Sequence, residues 1–326
     1  MKKIVIYIVL LTGFIPFALA HTSKVKIWDD GKYRYIESNG IANHSTGHFP
    51  NAGNPNSIQE KSHHFRVPLS PRKSDQTISV GMDFFGVAMN GVPFDPATAE
   101  FWNNERGSNW NYDALSGKIN LGMDSNNAHV QPDGTYHYHG IPKGFVAGKS
   151  YEFIGYAADG FPIYYNSKID SSFRIKSGQR TGGPGGQYDG TFVSDYEYVS
   201  EKGQLDECNG MTLETTEYPE GTYAYFLTKS FPNIPRCFKA SPDNSFKKKA
   251  SGGISRPQRN SGTQESAMSN RREQRQPPQE ALAACSGKSE YNSCSFMAPH
   301  GNLSGSCRII QGNLACVPTG HPGPPR

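Results

Sequence analysis

His137 and His139 stand two residues apart in DGTYHYHGIP (residues 133–142), interleaved with tyrosines. On an extended strand, residues i and i+2 share a face. The two imidazoles would therefore project together, with Tyr136 and Tyr138 packed on the opposite side. His129, in NNAHVQPDG, is close enough in sequence to fold back beside that strand. Two imidazoles from one strand and a third from a neighbouring segment make a nitrogen set suited to copper or zinc. The competing expectation is an aromatic strand whose histidines are satisfied by backbone or tyrosine hydroxyls and do no chemistry.

Other residues offer weaker versions of the same chemistry. His44 and His48 lie four apart in HSTGH, a spacing compatible with a loop clamp. His63 and His64 are adjacent; His64 joins His44 and His48 as a secondary metal candidate. His21 would become the first residue of a chain cleaved after Ala20. An N-terminal histidine can chelate copper through its amine and ring, as in copper oxygenases that attack polysaccharides. Among the acids, Asp159 in DGFPIYY and Asp206 and Glu207 in LDECNG could orient a metal-bound histidine or act as bases. Asp-Gly and Asn-Gly are turn formers first, so turn and supporting roles are expected of them. No G-x-S-x-G, P-loop or H-E-x-x-H occurs, which removes support for serine hydrolase, phosphate-loop and zincin chemistry.

The histidine strand has an altered echo. NNAHVQPDGTYHYHGIP resembles CNGMTLETTEYPEGTYAYFLT, and the tails share G-T-Y-x-Y. Aligned on that tail, His137 meets Ala224 and His139 meets Phe226. A five-residue insertion brings His129 opposite Met211. The second copy then lacks all three histidines while keeping both tyrosines.

The elements that must position these residues are short. Gly (35) and Pro (23) are abundant among 326 residues, and Ala- and Leu-rich helical runs are scarce. Runs such as KVKIWDDGKYRYIES, HHFRVPL, TISVGMDFFGVAMNGVPF, YEFIGYAADGFPIYY, TFVSDYEYVS and GTYAYFLT alternate with turn signals. A mainly β fold follows, all-β or α+β with little helix, its one helical signal near PATAEFWN.

Residues 1–20 read as a signal peptide: Lys2 and Lys3, an apolar run, then Ala-Leu-Ala. The apolar run is short for a membrane span and no second one follows. The first cysteine is Cys208, which excludes a lipid-anchored cysteine at the cleavage point. A secreted or periplasmic protein is expected. All six cysteines lie in the last third, and an even count in an exported chain reads as disulfides ahead of a zinc site.

Residues 21–238 read as one β-rich domain. Residues 239–279 have almost no apolar periodicity and read as a disordered basic linker. Residues 280–318 form a small four-cysteine module, Cys285-x8-Cys294-x12-Cys307-x8-Cys316, and 319–326 a tail. A unit this small needs staples. Pairing 285–294 with 307–316, or nesting 294–307 within 285–316, are both open. SCRIIQGNLACV reads as two strands joined at Gly-Asn. The chain carries +4. Removing the leader (+2), residues 239–279 (+6) and residues 280–326 (+1) leaves −5 on residues 21–238. No folded basic face with interleaved aromatics is visible, so nucleic-acid binding is not expected.

The chain resembles the YHYH-domain family of exported bacterial proteins. The resemblance covers most of residues 37–238 and rests on SNGIANHSTGHFPNAGNPNSI, GVAMNGVPFDP, NAHVQPDGTYHYHGIP, IGYAADGFPIYY, LDECNG and FPNIPRCF. The family is similar in carrying two YHYH-like motifs. Here the first is intact (Tyr136 to His139) and the second reads Tyr223, Ala224, Tyr225, Phe226. The resemblance implies a domain type and no reaction.

The leading functional expectation is an exported protein that binds copper or zinc through His129, His137 and His139. One alternative is a non-catalytic envelope or surface module binding a glycan or protein, with Trp102 and Trp110 of FWNNERGSNWNY presented to it. The other is a metal-dependent hydrolase or copper oxidase or oxygenase at the same histidines.

Overall fold

The computed structural model of the chain describes residues 22–248, 278–289, 292–298, 301–310 and 313–318. Residues 1–21, which hold the expected signal peptide and His21, and residues 249–277, 290–291, 299–300, 311–312 and 319–326 lie outside the described residues. The chain divides into two compact units, residues 1–253 and 254–326. With 33% strand against 7% helix, the fold is mainly β, as the alternation of short runs and turns predicts.

The first unit opens with a three-stranded antiparallel sheet, β1 (Val25–Asp29), β2 (Tyr33–Ser38) and β3 (His63–Pro68). The first two pair antiparallel within KVKIWDDGKYRYIES, one of the runs read as β-like. Two strands, β4 (Ile78–Ser79) and β5 (Gly86–Ala88), follow, then β6 (Pro93–Phe94), β7 (Ala128–Val130) and β8 (Tyr136–Tyr138). Next come β9 (Tyr151–Ala157), β10 (Pro162–Asn166), β11 (Phe173–Ile175) and β12 (Tyr196–Tyr198). The unit closes with β13 (Gly210–Leu213), β14 (Thr222–Leu227) and β15 (Cys237–Phe238). Short ribbons pair β11 with β12 and β15 with β4. Near PATAEFWN the structure has one 3-10 turn, Trp102–Asn104.

The centre is an eight-stranded sheet in the order β13-β14-β10-β9-β5-β6-β8-β7. Its two halves are built alike. In one, the β5–β6 hairpin lies beside the β7–β8 hairpin, with β6 and β8 parallel. In the other, β9–β10 lies beside β13–β14, with β10 and β14 parallel. The halves meet where β5 runs antiparallel to β9, Val87 opposite Tyr156. Gly86 and Gly155 occupy matching places there. A Cβ on Gly86 would come within 2.5 Å of the Tyr156 carbonyl, and one on Gly155 within 2.1 Å of the Val87 carbonyl. Close backbone approach therefore requires glycine at both.

The equivalence extends the sequence echo to the hairpins. GVAMNGVPFD (86–95) superposes in register on GYAADGFPIY (155–164), so Asn90 matches Asp159 and Asp95 matches Tyr164. The hairpin turns repeat as well: Gly91 and Gly160 both have positive φ and donate to Ala88 and Ala157. The main core fills one face of the sheet with Phe85, Phe94, Tyr136, Tyr138, Ile154 and Tyr225.

The expected linker boundary at 238 is corrected. Residues 239–248 continue the first unit. Phe246 is buried and stacks on Phe65 at 4.6 Å. Asp243 holds Arg66 at 2.7 Å, and the Lys248 ammonium bonds Asp95. One buried aromatic and two ion pairs fix this stretch without any periodic pattern, which is why the sequence hides it. Cys208 and Cys237 are bridged.

The second unit has a helix, α1 (Gln279–Ala283), and an antiparallel sheet of β16 (Ser293–Ala298), β17 (Gly301–Ile310) and β18 (Asn313–Pro318). The two strands expected in SCRIIQGNLACV are β17 and β18. The disulfides join Cys285 to Cys307 and Cys294 to Cys316, so neither the sequential nor the nested pairing holds. The register explains why. Cys307 faces Cys316 across the ladder, yet Cys285 arrives from the end of α1, which packs on β16 and β18, and takes Cys307. Cys294 and Cys316, on the two outer strands, then join each other.

Replacing Phe246 with Ala should cost about 3–5 kcal/mol, the usual range for a buried phenylalanine. Trp28, Trp102 and Trp110 all lie in the first unit, so urea unfolding followed by tryptophan fluorescence reports that unit alone. An unchanged midpoint would show that residues 239–248 are not part of it.

Candidate metal centre

The turn before β7 sets the site's geometry. Asp124 accepts from the backbone of Asn126 (2.8 Å) and Ala128 (3.2 Å) on one oxygen, and from Gly47 N (2.9 Å) and the Tyr136 hydroxyl (2.6 Å) on the other. Asn127 sits at φ 55°, in the left-handed region that asparagine tolerates. Its carbonyl accepts from His139 N at 2.7 Å. The chain then turns back as β7, which places His129 directly opposite His137 on β8. His139 follows on the same face as His137.

The three histidines converge. His137 Nε2 lies 2.9 Å from His139 Nε2, and His129 Nε2 lies 3.1 Å from that same atom. His137 and His139 are 1% and 4% exposed, and His129 is half-buried. His129 Nδ1 donates to the Leu121 carbonyl at 2.8 Å, and His137 Nδ1 donates to the Thr135 carbonyl at 3.2 Å. A carbonyl only accepts, so both rings carry their proton on Nδ1 and turn a lone pair inward. His139 Nε2 can donate to one of those lone pairs and not to both. His139 Nδ1 is buried and has no partner. Burial pushes the pKa of His137 and His139 well below the ordinary value and lowers that of His129, so the imidazoles are neutral, the form that binds metal. The 2.9 and 3.1 Å separations are short enough for these nitrogens to reach one cation at bonds of about 2.0–2.1 Å.

Asp95 is a site residue that the histidine pattern does not point to. Its Oδ2 lies 3.8 Å from His137 Nε2, accepts Gln131 Nε2 at 3.1 Å and pairs with Lys248. Burial raises its pKa, and the Lys248 charge acts against that rise. The signal that could have found it is the hairpin echo, in which VPFD of one half faces FPIY of the other.

The remaining candidates are placed elsewhere. His44 reaches the opposite face of β8, with Nε2 2.6 Å from the Tyr138 hydroxyl, which Asn90 also contacts. His48 is exposed and bonds the Pro50 carbonyl. His64 is exposed beside Ser62 and Glu37, and His63 stacks on Phe65. None of these joins His129, His137 and His139, the histidine group whose geometry could hold an ion. Trp102 and Trp110 are half-buried, Trp110 packing edge-on to Phe192.

The acids of the second half hold turns and strands. Asp206 accepts from Cys208 N and Gly210 N and from the Tyr223 hydroxyl, repeating the bonds of Asp124. Glu207 pairs with Lys239 at 2.6 Å. Asp159 Oδ2 accepts from the Tyr225 hydroxyl (2.6 Å) and from Ala240 N (3.0 Å). The second copy also repeats the ladder. Met211 stands opposite Ala224 as His129 stands opposite His137, Asn209 has φ 56°, and Phe226 N donates to its carbonyl. Where the first half has Asp95, His129, His137 and His139, the second has Tyr164, Met211, Ala224 and Phe226. These four side chains pack as an apolar cluster with Leu205.

That comparison predicts that the scaffold does not need the imidazoles. The triple variant His129→Met/His137→Ala/His139→Phe should unfold within roughly 1 kcal/mol of the metal-free parent by urea titration, as a volume-conserving change does. Collapse of the fold would make the triad structural. A second prediction concerns Asp159, which burial raises from 3.8 to about 6. A raised folded pKa favours the protonated form, so its stabilisation is full below about 3.8 and is lost as pH rises through about 6. The loss is on the order of 3 kcal/mol. An Asn oxygen can take both Oδ2 bonds, so Asp159→Asn should gain on the parent between pH 4.5 and pH 7.5 in urea titrations. A constant gap would refute the assignment.

Residues 64–240, more than half of the chain, match the family described as YHYH protein. No curated protein and no solved structure matches the chain. The match spans both halves of the eight-stranded sheet from β5 to β14, including the intact motif at Tyr136–His139 and its altered copy at Tyr223–Phe226. The chain belongs to the YHYH family.

Proposed function

We propose that this protein binds one transition-metal ion, copper or zinc, at His129, His137 and His139. The observation that supports the reading is the meeting of three ring nitrogens, on two buried rings and one half-buried ring, with separations of 2.9 and 3.1 Å, two of them left as inward lone pairs by their backbone partners. Without a cation, His139 can donate to only one of the two inward lone pairs and leaves the other without a donor in a largely buried site, which is costly. The donor set contains no thiolate, and imidazole suits both zinc and copper(II). Leu121 and Thr135 act as carbonyl partners that orient the rings and raise their basicity. Asp95, already paired with Lys248, places a buried carboxyl oxygen 3.8 Å from His137 Nε2. Three protein nitrogens leave a coordination position for a further ligand, which hydrolytic or oxidative chemistry would require.

The metal site belongs to an exported protein in this reading. The leader-like first twenty residues and the bridging of all six cysteines support export to an oxidising compartment. Among the described residues, no helix is long and apolar enough to cross a membrane.

Elemental analysis of the purified full chain after exposure to copper and zinc should find about one bound ion per chain. His137→Ala and His139→Ala should each weaken binding at least about 100-fold, since loss of an outer hydrogen-bond partner alone costs about 10–100-fold. Equal, negligible metal in all three proteins would end the reading.

A further inference from the structure

A cleft of about 800 Å³ opens on the first unit; Asn127, whose carbonyl accepts from His139 N, lines it, and none of the three histidines does. Its lining draws cations from four separate segments: Lys143 after β8, Arg174 on β11, Lys202 in the 3-10 turn Ser200–Lys202, and Lys229 after β14. Asp113 is the one acid in the lining, and Arg236 already faces it at 4.0 Å. A lining of four cations to one acid stands out in a domain whose residues 21–238 carry −5.

The four cations are not equally engaged. Arg174 pairs with Glu197 at 2.9 Å, and the Lys202 ammonium donates to the carbonyls of Ser171 and Phe173. Lys143 and Lys229 are exposed and form no ion pair among the described residues. Such free charges over a low-dielectric wall concentrate anions. The wall itself is aromatic. Tyr196 stacks on Phe231 at 3.8 Å, Phe173 meets Phe231 edge-on at 5.6 Å, and Tyr165 completes the surface. Phe231 and Tyr165 are buried and hold the half-buried rings of Phe173 and Tyr196 in place, so these two present fixed surface at little entropic cost. Two amides join them. Asn127 donates to the Ile141 carbonyl and Asn233 to those of Thr228 and Lys229, which leaves each Oδ1 as an acceptor for hydroxyl groups.

We propose that this cleft binds an acidic oligosaccharide, a short chain of uronic acid rings. Sugar rings suit the aromatic faces, and hydroxyls suit the amide oxygens. Carboxylates spaced one per ring suit cations that arrive from four segments around the lining. A lone phosphate would call for donors converging on one point instead. The volume lies in the range of small-ligand sites and takes several rings. This site shares no side chain with the histidine triad and does not depend on its metal.

The test is calorimetric titration of the full chain with tetragalacturonate, with maltotetraose as the neutral chain and inorganic phosphate as the bare anion. Saturable 1:1 binding of tetragalacturonate is expected, weakened at least about tenfold in Lys143→Ala/Lys229→Ala. It should also weaken when salt is raised to roughly 0.5 M, where screening is strong. Maltotetraose should not bind, and phosphate should not compete at equal concentration. His137→Ala/His139→Ala should bind tetragalacturonate as the parent does, which separates this site from the metal reading. Absence of saturation, equal affinity in the double lysine variant, equal binding of maltotetraose or phosphate, or loss of binding in the histidine variant would each overturn the proposal.

Discussion

A tyrosine hydroxyl held on a turn-forming carboxylate is the interaction on which the rest of this domain depends. Tyr136 bonds Asp124, and Asp124 also accepts the backbone amides that fold the chain back as β7. That single carboxylate fixes the reach of the turn and the register of the β7–β8 ladder. It thereby sets His129 over His137. The same arrangement returns at Asp206 and Tyr223, with the same amide partners and the same register. Burial raises the pKa of both tyrosines beyond the ordinary phenol range, and the neighbouring carboxylates add to the effect, so the hydroxyls remain donors. The tyrosines of the motif are therefore scaffold, and what the strand carries between them is free to vary.

The histidine centre was legible because strand geometry acts over two residues. Once Tyr136–His139 is extended, the shared face of His137 and His139 follows from the period alone. His129 was legible through the turn signal between the strands. Asp95 was not, because its place depends on the parallel pairing of β6 with β8, a contact between residues some forty positions apart. Residues 239–248 were hidden for a related reason. Phe246 packs on Phe65 and Lys248 reaches Asp95, both long-range contacts with no local pattern. In the second unit the cysteine spacing is symmetric, and symmetry in sequence does not choose a pairing. The helix end that carries Cys285 does.

Duplication explains how one sheet can hold two different interiors. The halves meet at Gly86 and Gly155, where neither position leaves room for a side chain. On one side the space beyond the ladder is filled by Tyr164, Met211, Ala224 and Phe226. On the other it is filled by an acid and three imidazoles. Burying apolar side chains is favourable at about 25 cal/mol per Å² and needs no partner. Burying imidazoles is neutral at best, and only when every nitrogen is satisfied.

The nitrogens of the first half are not satisfied within the protein. The backbone takes the protons of His129 and His137 and turns their free nitrogens toward His139, whose own Nδ1 has no partner. The other half shows that the same scaffold accepts an apolar solution at the equivalent positions. Three converging imidazoles, two of them buried, with a carboxylate beside them, are accounted for in the proposed reading by a cation that completes the set. The energetic deficit of the empty arrangement is then the driving force for binding, because a metal converts each inward lone pair from a cost into a bond.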